Sequence, residues 1–223
     1  MVLSLVARYL QDKLPELNNM RDDFSKFKNV RPAEQEDAAI KLAADGQDML
    51  ATLNDCVRAR KCNLVPYGAA TNMPPNRDAN HEATKTGGCC FGQTGHHLLP
   101  EKSLEGVCPQ YKHTAAPTVC AEGTSQNAGS HQRAHVALAT QHVALAQDNK
   151  IASDGSMSMS DALNAGAKSH QEAFPLSKCS YKCIRAQLAA YYNEVCGGNA
   201  RPKMMDAQAK VADPATVPGP NVN

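Results

Sequence analysis

Between Leu64 and Gly129 the chain offers no apolar stretch long enough to build one face of a helix, and this interruption decides how the rest can fold. Gly, Pro, Asn and Thr punctuate it. Its apolar runs are as short as Leu64-Val65-Pro66-Tyr67 and Pro117-Thr118-Val119-Cys120, which read as brief strands set in loop. On either side the periodicity is helical. Upstream, Leu3, Leu5, Val6, Leu10 and Leu14 recur before Pro15, and a second run passes through Ala39, Leu42, Met49, Leu50, Leu53 and Val57. This predicts two helices joined near Val30-Arg31-Pro32. Downstream, Ser130 can cap a helix from 131 to about 149, and Ser158 or Ser160 one that reaches Ala173 and halts at Pro175. Ser180 can cap a third that runs to Cys196 and stops at Gly197-Gly198. The expected class is α+β, mostly helical, with a small sheet in the middle. Beyond Asn199 the Pro-rich sequence predicts a flexible tail over residues 200–223.

A length of 223 residues allows one large domain, or one domain with an arm. Aromatic residues are 4% of the chain and Trp is absent, which leaves few platforms for stacking bases and argues against an RRM-like single-strand binder. The apolar opening is broken at Arg8, far short of the roughly 20 residues of a membrane span. It has neither a basic leading region nor a small-residue cleavage site, so it reads as the start of a helix and not as a secretory signal. The net charge of +1 hides an uneven distribution: residues 1–55 carry seven basic against ten acidic side chains, and residues 56–150 nine against six. The basic excess sits in the middle.

Nine Cys is a high count for a reduced cytosolic enzyme, and an odd number leaves at least one unpaired within the chain. No CxxC pair occurs among them, so a zinc ribbon is not indicated, while disulfides or a structural metal site stay open. The His pattern carries more chemistry. His131 and His135 lie four apart at the start of a helix, so both imidazoles project from one face and can share one divalent ion. A third ligand must come from elsewhere, and the adjacent pair His96-His97 can supply it. On an extended strand the two side chains point to opposite faces, so one can hold a metal while the other takes a proton from water. His113, His142 and His170 have no partner at ligand spacing and read as ordinary surface or core positions.

These segments resemble a family. Gly95-His96-His97-Leu98-Leu99-Pro100, then Ala116-Pro117-Thr118-Val119-Cys120 and Gly129-Ser130-His131-Gln132-Arg133-Ala134-His135, are similar to the GHH-signature bacterial DNase toxins of the HNH/endonuclease VII superfamily. The likeness extends through Cys62-Asn63-Leu64-Val65-Pro66-Tyr67, Gly88-Cys89-Cys90, Phe174-Pro175 and Cys183-Ile184-Arg185-Ala186-Gln187-Leu188. It divides the chain into a helical arm at 1–55, a toxin domain at 56–199 and the tail.

The resemblance implies a ββα-metal core in a metal-dependent endonuclease that hydrolyses DNA non-specifically in competitor bacteria. His96, His131 and His135 would hold the ion, His97 would be the general base and Arg133 a phosphate ligand. Asn127 is the nearest counterpart of the central HNH Asn that orients the base, although Thr124 or a backbone carbonyl could do the same. The ion would be divalent, Mg2+, Mn2+, Zn2+ or Ni2+: availability favours Mg2+, and imidazole ligands favour the later transition metals. The implied partners are a DNA substrate, a cognate immunity protein that silences the toxin in the producer's cytoplasm, and a secretion machinery reached through a missing N-terminal domain. Such a toxin acts in the cytoplasm of target bacteria. Two other classes stand beside it: a structural zinc module in which the four His form a closed knot, and a Cys-His hydrolase using Cys89 or Cys90.

Overall fold

The computed structural model describes Arg31, residues 61–68, Cys89 and residues 93–122 and 129–216. Apart from Arg31, the expected helical arm at 1–55 lies outside the described residues, as do Asn127, Thr124 and Cys90.

Among the described residues three short strands form one antiparallel sheet. They are β1 (Val65–Pro66), β2 (Gln93–His97) and β3 (Pro117–Glu122), in the order β1-β3-β2. β3 is the middle strand and all six of its residues are buried, as a strand covered on both faces requires. β2 pairs with it so that Gly95 faces Cys120, His96 faces Val119 and His97 faces Thr118. Between them the chain makes one turn of helix, α1 (Glu101–Leu104), and a loop. After β3 comes the long helix α2 (Gly129–Gln147). The order β2, β3, α2 is the expected ββα unit, within a mostly helical chain.

Two further helices complete the core. α3 (Met159–Ala173) starts at Ser158, whose hydroxyl accepts the Asp161 amide, and α4 (Tyr181–Cys196) starts at Ser180, whose hydroxyl accepts the Cys183 amide. Both caps are the ones read from sequence. Ser130, expected as a cap, instead lies inside α2, where its hydroxyl bonds the Glu122 carboxylate. α3 packs between α2 and α4. Leu98, Leu99, Val119, Ala137, Leu163, Phe174, Ile184, Leu188 and Tyr192 form its hydrophobic surroundings. Gly166 permits the closest approach: a Cβ there would stand 2.8 Å from Leu99 Cδ1 and 3.0 Å from the Leu98 carbonyl oxygen. The strand bearing His96 and His97 is thus pressed against α3 immediately after its last residue.

A charged pair lies inside this core. Lys61 is fully buried, ion-paired with the Glu122 carboxylate, bonded to the Cys120 carbonyl oxygen at 2.7 Å, and set over the Phe174 ring at 4.4 Å. Burial alone would push the Glu122 pKa up, but Lys61 and the hydroxyl and amide of Ser130 and Gln93 hold it below the usual carboxylate range. One carboxylate therefore ties together the segment before β1, both main strands and α2.

Among the described residues three disulfides join distant parts: Cys62 to Cys179, Cys89 to Cys120 and Cys108 to Cys196. Cys183 is the free, exposed cysteine among the described residues. Residues 200–216, expected from composition to be a flexible tail, are packed. Ala200, Met204 and Met205 are buried, and the backbone is bridged at Ser156 to Lys203 and at Met205 to Val211. Apolar Met side chains at 204 and 205 outweigh the Pro content as a determinant there. No helix among the described residues is long and apolar enough to cross a membrane.

Candidate metal centre

The strand β2 delivers His96 and His97 to opposite sides, as its two-residue period demands. His96 turns toward α2. Its ring meets His131 edge-on with centroids 4.8 Å apart and His135 edge-on at 4.6 Å, while His131 and His135, one helical turn apart, stack at 5.2 Å. Each of the three offers a ring nitrogen, and these nitrogens lie within 4.8 Å of one another.

The electrostatics suit a cation that these rings can ligate. Both ring nitrogens of His96 and Nδ1 of His135 are buried with no hydrogen-bond partner. A buried polar atom left so costs about 1–3 kcal/mol unless something fills its lone pair. Burial pushes His96 well below its ordinary value, reinforced by His131 and His135, and brings His131 down to about 3. Burial also lowers His135, with the Asp206 carboxylate acting in the opposite sense. All three imidazoles are therefore neutral and able to donate lone pairs at physiological pH. Thr94 Oγ1 lies 2.8 Å from His131 Nδ1, which orients that ring and leaves Nε2 for a ligand. The residues present fit a divalent ion.

His97 occupies the other side of the strand. Its Nε2 is 3.2 Å from the His113 carbonyl oxygen. A carbonyl can only accept, so Nε2 carries the hydrogen and the neutral ring keeps its lone pair on Nδ1. Tyr67 stacks on the ring at 4.7 Å, and the His113 ring lies 4.5 Å away. Burial, then the neighbouring His113, lowers His97 to about 4 against the opposing hydrogen bond. Backbone hydrogen bonds from Tyr67 to Ala116 and from Gly68 to Thr114 hold Tyr67 in place. Both sides of β2 open on one cleft of about 520 Å³, lined by Tyr67, Thr94, His96, His97, His113, His131 and His135 among others.

Residues 89–192 match the family described as GHH signature containing HNH/Endo VII superfamily nuclease toxin 2. The chain carries a GHH-signature toxin domain of the HNH/endonuclease VII superfamily. The chain is also similar to the DNase toxin Tse7 of Pseudomonas aeruginosa, at 29% identity over 217 residues covering 84% of this chain and 52% of the relative. The chain thus spans about half the length of the curated relative it matches. No solved structure matches it.

Of the residues singled out in the sequence, the structure brings His96, His131 and His135 into one cluster and puts His97 beside it. Arg133, two residues from each helix ligand, is half-buried and is not among the residues lining the cleft. A step of two residues turns it to another face of α2. His113, read as an ordinary position, proves to be the neighbour of His97 in the GHH domain. No side-chain pattern could have revealed it, since the hydrogen bond uses its backbone. His142 and His170 are buried core residues, bonded to the backbone of Met205 and of Lys61. The four-His knot does not form, because His97 faces away from the other three. Cys89 is no nucleophile: its sulfur is buried and bonded to Cys120.

Proposed function

We propose that this protein is a metal-dependent endonuclease toxin that hydrolyses DNA phosphodiester bonds with little sequence preference. The observation that carries this is the pairing of a three-imidazole cluster with a separately held imidazole across a single strand, both facing one cleft. His96, His131 and His135 would hold a divalent ion, which when bound would supply Lewis-acid stabilisation of the phosphodiester under attack. Three protein ligands, where a structural zinc site uses four, leave positions for water and substrate. His97 takes the proton of the attacking water on Nδ1. The His113 carbonyl holds the Nε2 hydrogen and so fixes the ring and its tautomer, the office for which Asn127, Thr124 or a backbone carbonyl stood as candidates. Charge on the imidazolium is then offset by the phosphodiester itself. Arg133 stands off the cleft wall and is given no phosphate contact within it.

The ion follows from competition between supply and preference. Abundance favours Mg2+, and an all-nitrogen donor set favours the later transition ions Zn2+ and Ni2+. As a toxin of this kind the protein acts inside target bacteria after export, and a cognate immunity protein shields the producer.

The test is cleavage of supercoiled plasmid by the purified protein with EDTA, with each metal restored, and with His97→Ala. Metal-dependent nicking that disappears in His97→Ala, while bound metal is retained, is the expected result. An intact plasmid under every metal, with the protein folded and loaded, would refute the proposal.

A further inference from the structure

Opposite in sequence to the GHH motif, and beyond the matched segment 89–192, residues 205–211 form a tight hairpin whose tip reaches the same cleft. Gln208, Ala209 and Lys210 line it together with Lys102 of α1. The hairpin is rigid by construction. The Asp206 carboxylate accepts the amides of Gln208 at 2.9 Å and Lys210 at 2.8 Å, the Asp206 amide donates to the Lys210 carbonyl oxygen, and Met205 pairs with Val211. Ala209 takes a left-handed conformation with φ of 57°, which closes the turn. Its base is fastened to α2: the Met205 amide donates to His142 Nδ1 at 3.0 Å, two helical turns from His135, and Met204 and Met205 are buried.

The charges at the rim are arranged for an anion. Lys102 and Lys210 are exposed cations on the cleft wall. The two acidic groups that share their short elements are engaged: Glu101 of α1 lies 3.1 Å from the His113 ring, and Asp206 of the hairpin accepts its own turn's amides. A nucleic-acid strand crossing the cleft carries phosphates on both sides of the one under attack, and lysines held on short rigid elements meet such phosphates as point charges.

We propose that the 205–211 hairpin is a phosphate clamp, with Lys210, aided by Lys102, binding the DNA backbone beside the scissile phosphate. This rests on the nuclease function proposed above. Lys210 is a binding and positioning residue, and His142 acts through the hairpin it anchors.

The deciding experiment measures binding of a fluorescent DNA duplex over a range of NaCl in a His97→Ala background, which does not cut the probe. Plasmid nicking is followed in parallel with otherwise wild-type protein. Lys210→Ala is expected to flatten the log–log salt dependence by about 1, one phosphate contact, and to raise KM several-fold with kcat changed by less than about threefold. Lys210→Arg restores both, Lys210→Glu weakens binding further, and bound metal and Tm stay at the wild-type level in all three. An unchanged salt slope and KM in Lys210→Ala overturns the clamp while leaving the nuclease intact. Loss of metal or of Tm in Lys210→Ala also overturns it, by showing that the residue supports the fold. A His97→Ala background and a wild-type protein that neither bind nor nick DNA remove the nuclease function itself.

Discussion

The Nε2 atom of His97 lies 3.2 Å from the main-chain carbonyl oxygen of His113, so this contact follows the path of the backbone and not the side chain at 113. Replacing His113 by Ala removes a ring that touches His97 and Tyr67 but keeps the carbonyl. Cleavage by His113→Ala should therefore stay within about tenfold of wild type, whereas His97→Ala should fall by about 10²- to 10⁴-fold. Parallel kcat measurements on plasmid separate the two. Equal losses would mean that the His113 imidazole itself takes part.

Three neutral imidazoles, two of them with unpartnered buried nitrogens, should make the apoprotein gain stability on loading. In differential scanning fluorimetry of EDTA-stripped protein, Zn2+ or Ni2+ is expected to raise Tm at lower concentration than Mg2+. At a hundredfold excess over Kd the gain is about 2.7 kcal/mol. His96→Ala should abolish the shift, and a shift that survives in that variant would place the ion elsewhere.

His142 and His170 give the fold an acid sensitivity separate from the metal. Burial lowers each to about 4, whereas the unfolded chain takes up these protons near pH 6.5. Between those values the unfolded state binds more protons, so stability is full above pH 6.5 and declines as pH falls toward 4. The slope is up to about 1.4 kcal/mol per pH unit for each residue. Urea denaturation from pH 7 to 4.5 should show this decline, and His170→Gln should reduce its slope by about one residue's share. An identical slope in the variant would assign the acid sensitivity to other groups.

Lys61 and Glu122 are both buried, so removing one charge strands the other. Glu122→Gln or Lys61→Met alone should cost about 3–5 kcal/mol in chemical denaturation. The double variant Lys61→Met/Glu122→Gln should be more stable than either single one, because no unpaired charge remains. Additive losses would show that the two groups act independently.

The parts of the site that were legible in the sequence are those set by local geometry. His131 and His135 share a face because a helix repeats every 3.6 residues, and His96 and His97 diverge because a strand repeats every two. The caps at Ser158 and Ser180 are equally local. What escaped depends on chain closure over long distances. The Cys62–Cys179 pair spans 117 positions, and nothing in either cysteine's neighbourhood names its partner. Lys61 reads as a surface residue until Glu122 and Phe174 are folded around it. The hairpin at 205–211 was hidden by prolines that signal irregular backbone, which is a different property from mobility.

The three disulfides interlock along the chain. The Cys108–Cys196 bond begins inside the ring closed by Cys89 and Cys120 and ends outside the ring closed by Cys62 and Cys179. With all three formed, these residues cannot be drawn out straight from either end. They must travel through any opening as a bundle several strands wide. With the same six sulfurs reduced, the polypeptide can pass end first through a passage no wider than a single extended strand. The oxidation state of these cysteines therefore sets the smallest gate this chain can cross.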